Sequence, residues 1–252
     1  MITSRVVGDG PPVLLVHGAA EDAAMLAGQA EALAARGRRV ITYDRRGTGA
    51  STRANWPDGG VAQHAADAAA LLRAHAAAPA TVLGFSSGGI VAMALAVRHP
   101  ELIAEAIAWE PPLLSLLPDG LAIQDGMVAP IRAYLGTHPD DWSGAFAVMI
   151  EVISDGGADL DSPEAKAQMV NAEAAIRDDA EVITRHVFAA GELSAAPVTV
   201  AVGGQVSPLH VAIADAVAAT TGRAPLVVAE ADDHEVYVKR PEVLAAALGG
   251  RR

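Results

Sequence analysis

The chain has 252 residues, no cysteine and a formal net charge of −12. With 52% hydrophobic and 19% charged residues, it is too apolar and too lightly charged for a disordered chain. Without cysteine it can form no disulfide, thiolate metal site or cysteine nucleophile. The acidic balance argues against a nucleic-acid binder, which shows a basic patch. The length fits one large α/β domain, or such a domain with a modest insertion. Met1 to Gly10 carries only Arg5 as a basic residue and no long apolar run, so it does not read as a secretory signal. The run Val13-Leu14-Leu15-Val16 is strand-sized, far short of the roughly 20 residues of a membrane span. The expectation is a soluble, cytoplasmic protein.

In chain order, the pattern predicts strands over residues 2–7 and 13–17, a helix over 25–36, a strand over 39–43 and a helix over 63–77. A strand over 81–85, a helix over 88–98 and a strand over 104–109 follow. Most of these strands are continuous apolar runs, as strands buried on both faces of a parallel sheet are. From Pro111 to Ala195 no strand is predicted. Helical runs over 141–152, 163–176 and 180–189 are separated there by breakers such as Asp155-Gly156-Gly157. The alternation then resumes with a strand over 198–202, a helix over 209–221, a strand over 225–229 and a helix over 242–248. Strand–helix alternation of this kind predicts a mostly parallel, doubly wound α/β sheet. Its core spans residues 1–110 and 196–252, with a helical insertion over 111–195.

Gly84-Phe85-Ser86-Ser87-Gly88 ends one predicted strand and opens the next helix. Gly-x-Ser-x-Gly in that context is a nucleophile elbow. The sharp turn strains the serine backbone and lifts the Ser86 hydroxyl above the sheet edge. It also aims the helix N-terminus and the Ser87 amide at a developing oxyanion. A second donor belongs on an early strand–helix loop. Val16-His17-Gly18-Ala19-Ala20 supplies one, with the amide of Ala19 or Gly18 as the candidate. His17 reads as a structural histidine, because one general base suffices. That base belongs after the last strand, where His234 lies in the polar loop Glu230 to Glu235. His64 and His75 share a predicted helix and are expected to face solvent. His99 precedes Pro100 at a helix end, and Asp44 and Arg45 read as a structural loop network.

These pieces, with Asp44-Arg45-Arg46-Gly47-Thr48-Gly49-Ala50-Ser51, His99-Pro100-Glu101, residues 197–203 and Pro241-Glu242, resemble the α/β-hydrolase fold superfamily over nearly the whole chain. The resemblance implies a Ser–His–acid triad, with the insertion as a helical cap. The opening hairpin is shorter than usual in that family. The acid departs from the common pattern. Many relatives carry an aspartate three residues after the glycine ending the strand at 197–203, and here that position is Val206. Asp215 lies within a predicted helix. Glu110, ending the strand at 104–109 and followed by Pro111-Pro112, is the alternative and would orient His234 through Nδ1. The Ser-Ser-Gly elbow and a glutamate 24 residues after Ser86 are also similar to the fungal lactonases that open zearalenone.

The reading is a serine hydrolase acting on a small-molecule ester or lactone, as a monomer or homodimer. It needs no cofactor, metal, nucleic acid or membrane. Ser86, His234 and Glu110 form the triad, with Ser87 and Ala19 or Gly18 as oxyanion donors. Trp109, Trp142 and Phe188 are the expected substrate-binding residues. Two other readings stay open: a non-hydrolytic or C–C bond-cleaving enzyme on the same scaffold, and a catalytically idle binding module, for which Val206 speaks.

Overall fold

Alternation along the strands decides the layering of the computed structural model, which describes residues 1–154, 157 and 159–249. Successive strand residues point to opposite faces. Along β2 (Pro12–Val16), Leu14 and Val16 pack with the core on one face, while Val13 and Leu15 pack on the other. The other strands are β1 (Ser4–Val7), β3 (Arg39–Tyr43), β4 (Ala80–Phe85), β5 (Ile103–Trp109), β6 (Val198–Gly203) and β7 (Leu226–Val228). They form one seven-stranded sheet in the order β1-β3-β2-β4-β5-β6-β7. Only β1 pairs antiparallel, with β3. The doubly wound, mostly parallel α/β-hydrolase architecture is thus observed.

Helices α1 (Ala27–Ala34), α2 (Gly60–Ala74) and α3 (Ser87–Arg98) follow the early strands. Among the described residues, five α-helices separate β5 from β6: α4 (Gly120–Thr137), α5 (Trp142–Ser154), α6 (Pro163–Met169), α7 (Ala172–Ala174) and α8 (Glu192–Ala195). No strand interrupts them among the described residues. Three more complete the chain: α9 (Pro208–Thr221), α10 (Val236–Lys239) and α11 (Pro241–Gly249). Leu26, Leu33, Tyr237 and Leu244 cover one face of the sheet with the β2, β4 and β5 side chains. The all-buried residues 87–96 of α3 lie in the other layer, with α2 and α9. Val128, Ile131, Phe146 and Ile176 form a separate cluster inside the insertion. No helix is long and apolar enough to cross a membrane, among the described residues.

The insertion departs from the sequence reading in several places, among them a break at residues 170–171 within the helix expected over 163–176. Helix α4 is unpredicted because Gly126, Pro130 and Gly136 interrupt its pattern, yet it runs 18 residues. The boundary expected between residues 176 and 180 is absent. There α7 passes straight into a nine-residue π-helical segment, Ala175–Ile183, and residues 184–189 are not helical. Position 155–156 of the predicted breaker lies outside the described residues.

Gly88 shows how tightly the elbow is built: an added Cβ would collide with the carbonyl oxygens of Val16 and His17. Gly126, within α4, has nothing within 4 Å of that position. Gly88→Ala should therefore destabilise by more than about 3 kcal/mol. Gly126→Ala should stabilise by up to about 1 kcal/mol. Urea unfolding of both variants checks the pair.

Candidate active site

Ser86 sits between β4 and α3 with φ 50° and ψ −124°, a region that side chains rarely adopt and that marks functional turns. Its amide donates to the Trp109 carbonyl at 2.9 Å. A Cβ on Gly18 would meet Ser86 Cβ at 3.3 Å, so the β2–α1 loop lies directly against the nucleophile candidate, and glycine permits that approach.

Glu110 follows β5 with φ 41°. Its amide donates to Ala201 O at 2.9 Å. The side chain is 4% exposed and lies between two donors: Gly203 N–H to Oε1 at 3.0 Å, and His234 Nδ1 to Oε2 at 2.6 Å. The β6 end, where many relatives carry the acid, here supplies the amide that holds Glu110, while Val206 packs against the core. Burial opposes ionisation of Glu110, but the His234 bond and charge and the Gly203 amide outweigh it and lower its pKa. For His234, burial is likewise opposed by the Glu110 bond and charge and by Glu21 and Glu235, and its pKa is raised. With Nδ1 facing the carboxylate, the Nδ1–H tautomer leaves Nε2 to accept a proton. Trp109 joins the parts: its carbonyl receives the Ser86 amide, and its indole Nε1 donates to His234 O at 2.9 Å.

Of the two early oxyanion candidates, Gly18 is committed elsewhere, because its amide donates to Glu21 Oε2 at 2.7 Å. The Ala19 and Ser87 amides have no acceptor among the described residues. His17 is structural, as expected. Arg45 N–H donates to its Nε2 at 3.0 Å, and its Nδ1 faces Gly18 O at 2.9 Å. Burial, then the Arg45 charge, lower its pKa well below 6.5, so it stays neutral. Asp44 also plays the expected loop role, accepting from the Ala23 and Ala50 amides.

Other expectations are not met. His64 is buried rather than solvated, with Nε2 2.6 Å from Asp178 Oδ2, because the π-helical segment covers that face of α2. The three expected substrate-binding residues fall into separate clusters. Trp109 is wholly buried beneath the sheet edge and offers no surface to a ligand. Phe188 packs in the opposite layer, against His186 at 4.5 Å. Trp142 packs within the insertion, near Arg177. One group of described residues could hold a metal ion, Glu110, His210 and His234, and two of its members are already bonded to each other.

Sequence reasoning missed Glu21. It is 1% exposed and joins the Gly18 amide to the Tyr237 hydroxyl, whose O–H donates to Oε1 at 2.6 Å. Tyr237 in turn stacks on Phe85 at 4.1 Å. Burial, above all, raises the Glu21 pKa from 4.5 to about 7. A carboxyl whose folded-state pKa is raised contributes stability that is present below about 4.5 and lost as pH rises through about 7. At about 1.4 kcal/mol per tenfold change in proton affinity, this amounts to about 3 kcal/mol. Glu21→Gln, with the amide NH₂ turned to the tyrosine oxygen, mimics the protonated acid. Its stability relative to wild type should therefore rise by up to about 3 kcal/mol between pH 5 and pH 8 in urea unfolding. A constant difference would place the titration on another group.

The chain matches the family model of the alpha/beta hydrolase fold over residues 11–137. It is 44% identical over 114 residues to the uncharacterized hydrolase YraK of Bacillus subtilis, covering 45% of this chain and 42% of YraK. The match thus spans about two fifths of that relative's length. In structure it is similar to an alpha/beta hydrolase from Sphaerobacter thermophilus, with TM-score 0.71, 26% identity and coverage of 98% and 95% of the two chains. It is also similar to a malate-bound thermophilic esterase from Thermogutta terrifontis, with TM-score 0.74, 23% identity and coverage of 98% and 91%. A family model covering half the chain and solved structures that share its sheet agree with the left-handed serine after β4: the chain belongs to the alpha/beta hydrolase fold family.

Proposed function

We propose that this protein is a serine hydrolase that cleaves a carboxylic ester or lactone through an acyl-enzyme. The observation that carries the proposal is the 2.6 Å contact of Glu110 with His234 Nδ1, at the sheet edge where a strained Ser86 follows β4. YraK, named a hydrolase, supports the broad class. An idle binding module has no need of a buried carboxylate held against an imidazole, so the Glu110–His234 contact supports the enzymatic reading over that alternative.

His234 Nε2 takes the Ser86 Oγ proton as Oγ attacks the carbonyl carbon. The carbonyl π pair moves to oxygen, and the Ser87 and Ala19 amides receive the oxyanion. The oxyanion collapses, the C–O bond to the alcohol breaks, and His234 returns the proton to the leaving alkoxide. In a lactone that alcohol stays tethered to the acyl group. Water then repeats the sequence: His234 takes its proton as the water oxygen attacks the acyl carbon, the second oxyanion collapses with cleavage of the bond to Ser86 Oγ, and His234 returns the proton to Oγ. Glu110 stays ionised throughout, holding the tautomer and stabilising the imidazolium.

A fluorophosphonate probe should add one phosphonyl group to the wild type and none to Ser86→Ala. An unlabelled wild type would overturn the reading, and aryl esters and lactones assayed side by side rank the two carbonyl classes. Glu110→Gln should lower kcat by on the order of a hundredfold or more. The base must be neutral, so kcat/KM rises with pH through the His234 pKa, and Glu110 holds that pKa above 6.5. The residual activity of Glu110→Gln should therefore show its acidic limb at lower pH. A pH–rate profile with the limb unmoved would place the triad acid elsewhere.

A further inference from the structure

Ser87, which follows the nucleophile, is tied by its side chain to the insertion. Its hydroxyl donates to Asp179 Oδ1 at 2.6 Å. The same carboxylate receives Arg45 Nη2 at 2.8 and 3.0 Å. Arg45 Nη2 also donates to Gly18 O at 2.9 Å. All three side chains are buried, with Arg45 at 0%, Ser87 at 1% and Asp179 at 2% exposure. Asp179 lies in the π-helical segment 175–183, where the Thr184 amide reaches back to Asp179 O at 3.0 Å. Such segments are rare and recur at functional sites.

Gly18 O belongs to the same peptide unit as the Ala19 N–H. A trans peptide is planar, so fixing its carbonyl fixes the direction of its N–H. Two donors hold that carbonyl, His17 Nδ1 and Arg45 Nη2. Bonds to the carbonyl also polarise the N–H opposite. On the other side, the charge-assisted Ser87–Asp179 bond pins the first residue of α3 and, with it, the second amide. The two amides come from loops 68 positions apart in the chain, and one carboxylate joins their supports. Asp178, beside it, accepts from Trp56 Nε1 at 3.0 Å and faces His64, so the segment is anchored at a second point independent of the oxyanion residues.

We infer that Asp179 is a positioning residue that fixes the spacing of the Ser87 and Ala19 amides, so that seating of the helical insertion sets the oxyanion hole. This rests on the serine-hydrolase reading above. Burial raises the Asp179 pKa and the Arg45 charge opposes that shift. The donors that fall on the carboxylate fit its ionised form.

The test compares wild type, Asp179→Asn and Ser87→Ala. The Ser87 variant leaves the Arg45–Asp179 pair whole, so it reports even where Asp179→Asn does not fold. Thermal melting sets an assay temperature at which each folded variant is native. With an aryl ester, kcat should fall on the order of a hundredfold for Asp179→Asn and tenfold for Ser87→Ala, with KM within twofold. Affinity for a boronic acid, which forms a tetrahedral anion on Ser86, should fall by the same factors as kcat/KM. A purely structural role would lower the melting temperature and leave both readouts within twofold of wild type, which overturns the inference. A wild type that takes up no fluorophosphonate overturns the serine-hydrolase reading itself. A labelled wild type with unaffected variants overturns the positioning role alone.

Discussion

The way β5 ends governs the whole carboxyl edge of the sheet. Trp109 gives its carbonyl to the Ser86 amide and its indole to the His234 carbonyl. The next residue, Glu110, turns into a left-handed conformation and points its carboxylate between β6 and the His234 loop. Two adjacent residues thus register the Ser86 turn, the His234 loop and the Glu110 carboxylate against one another. The constraint is backbone geometry as much as charge, because the hydrogen bonds of a central strand leave little freedom where it ends.

Behind that edge the protein buries several ionisable groups. Burying a charge is costly unless it is paired and hydrogen-bonded. Among the described residues, Arg45 pairs with Asp179 and His64 faces Asp178, while Glu21 meets only the neutral Gly18 amide and Tyr237 hydroxyl; Arg45 Nη1, His64 Nδ1 and Asp178 Oδ1 are left without a partner. Replacing such a pair with apolar residues is often neutral or stabilising, whereas removing one partner alone strands a buried charge and is costly. The partners of these groups lie on the loops after β2 and β3, on α2, on the start of α3, on α10 and on the insertion, elements that a preorganised site must keep in register.

The sheet was legible because each strand is an apolar run flanked by turn residues. Ser86 and His234 were placed by local context and chain order. Glu110 could be picked out because Val206 cannot accept a hydrogen bond and Glu110 ends the neighbouring strand. The insertion was less legible. Gly126, Pro130 and Gly136 mask α4, whose stability comes from packing Val128 and Ile131 onto α5 and α7 rather than from propensity. Asp178 and Asp179 look like a solvated charged pair, since adjacent positions of an α-helix diverge by about 100°. The wider π-helical turn lets both face inward, and nothing in the local sequence announces that turn. His64 was misplaced for the same reason, because its cover comes from residues more than a hundred positions away. The pocket aromatics failed because residue type alone does not reveal which layer a side chain enters.

The seam through Asp179 also limits how this fold can be recombined. Insertions between these two strands are natural units for exchange among relatives when substrate range is to be altered. Here a grafted segment would arrive without a carboxylate for Ser87 and Arg45, leaving the buried Arg45 guanidinium without its ion-pair partner. A viable chimera must bring a carboxylate in the graft at the place of Asp179, or replace Ser87, Arg45 and Asp179 at once.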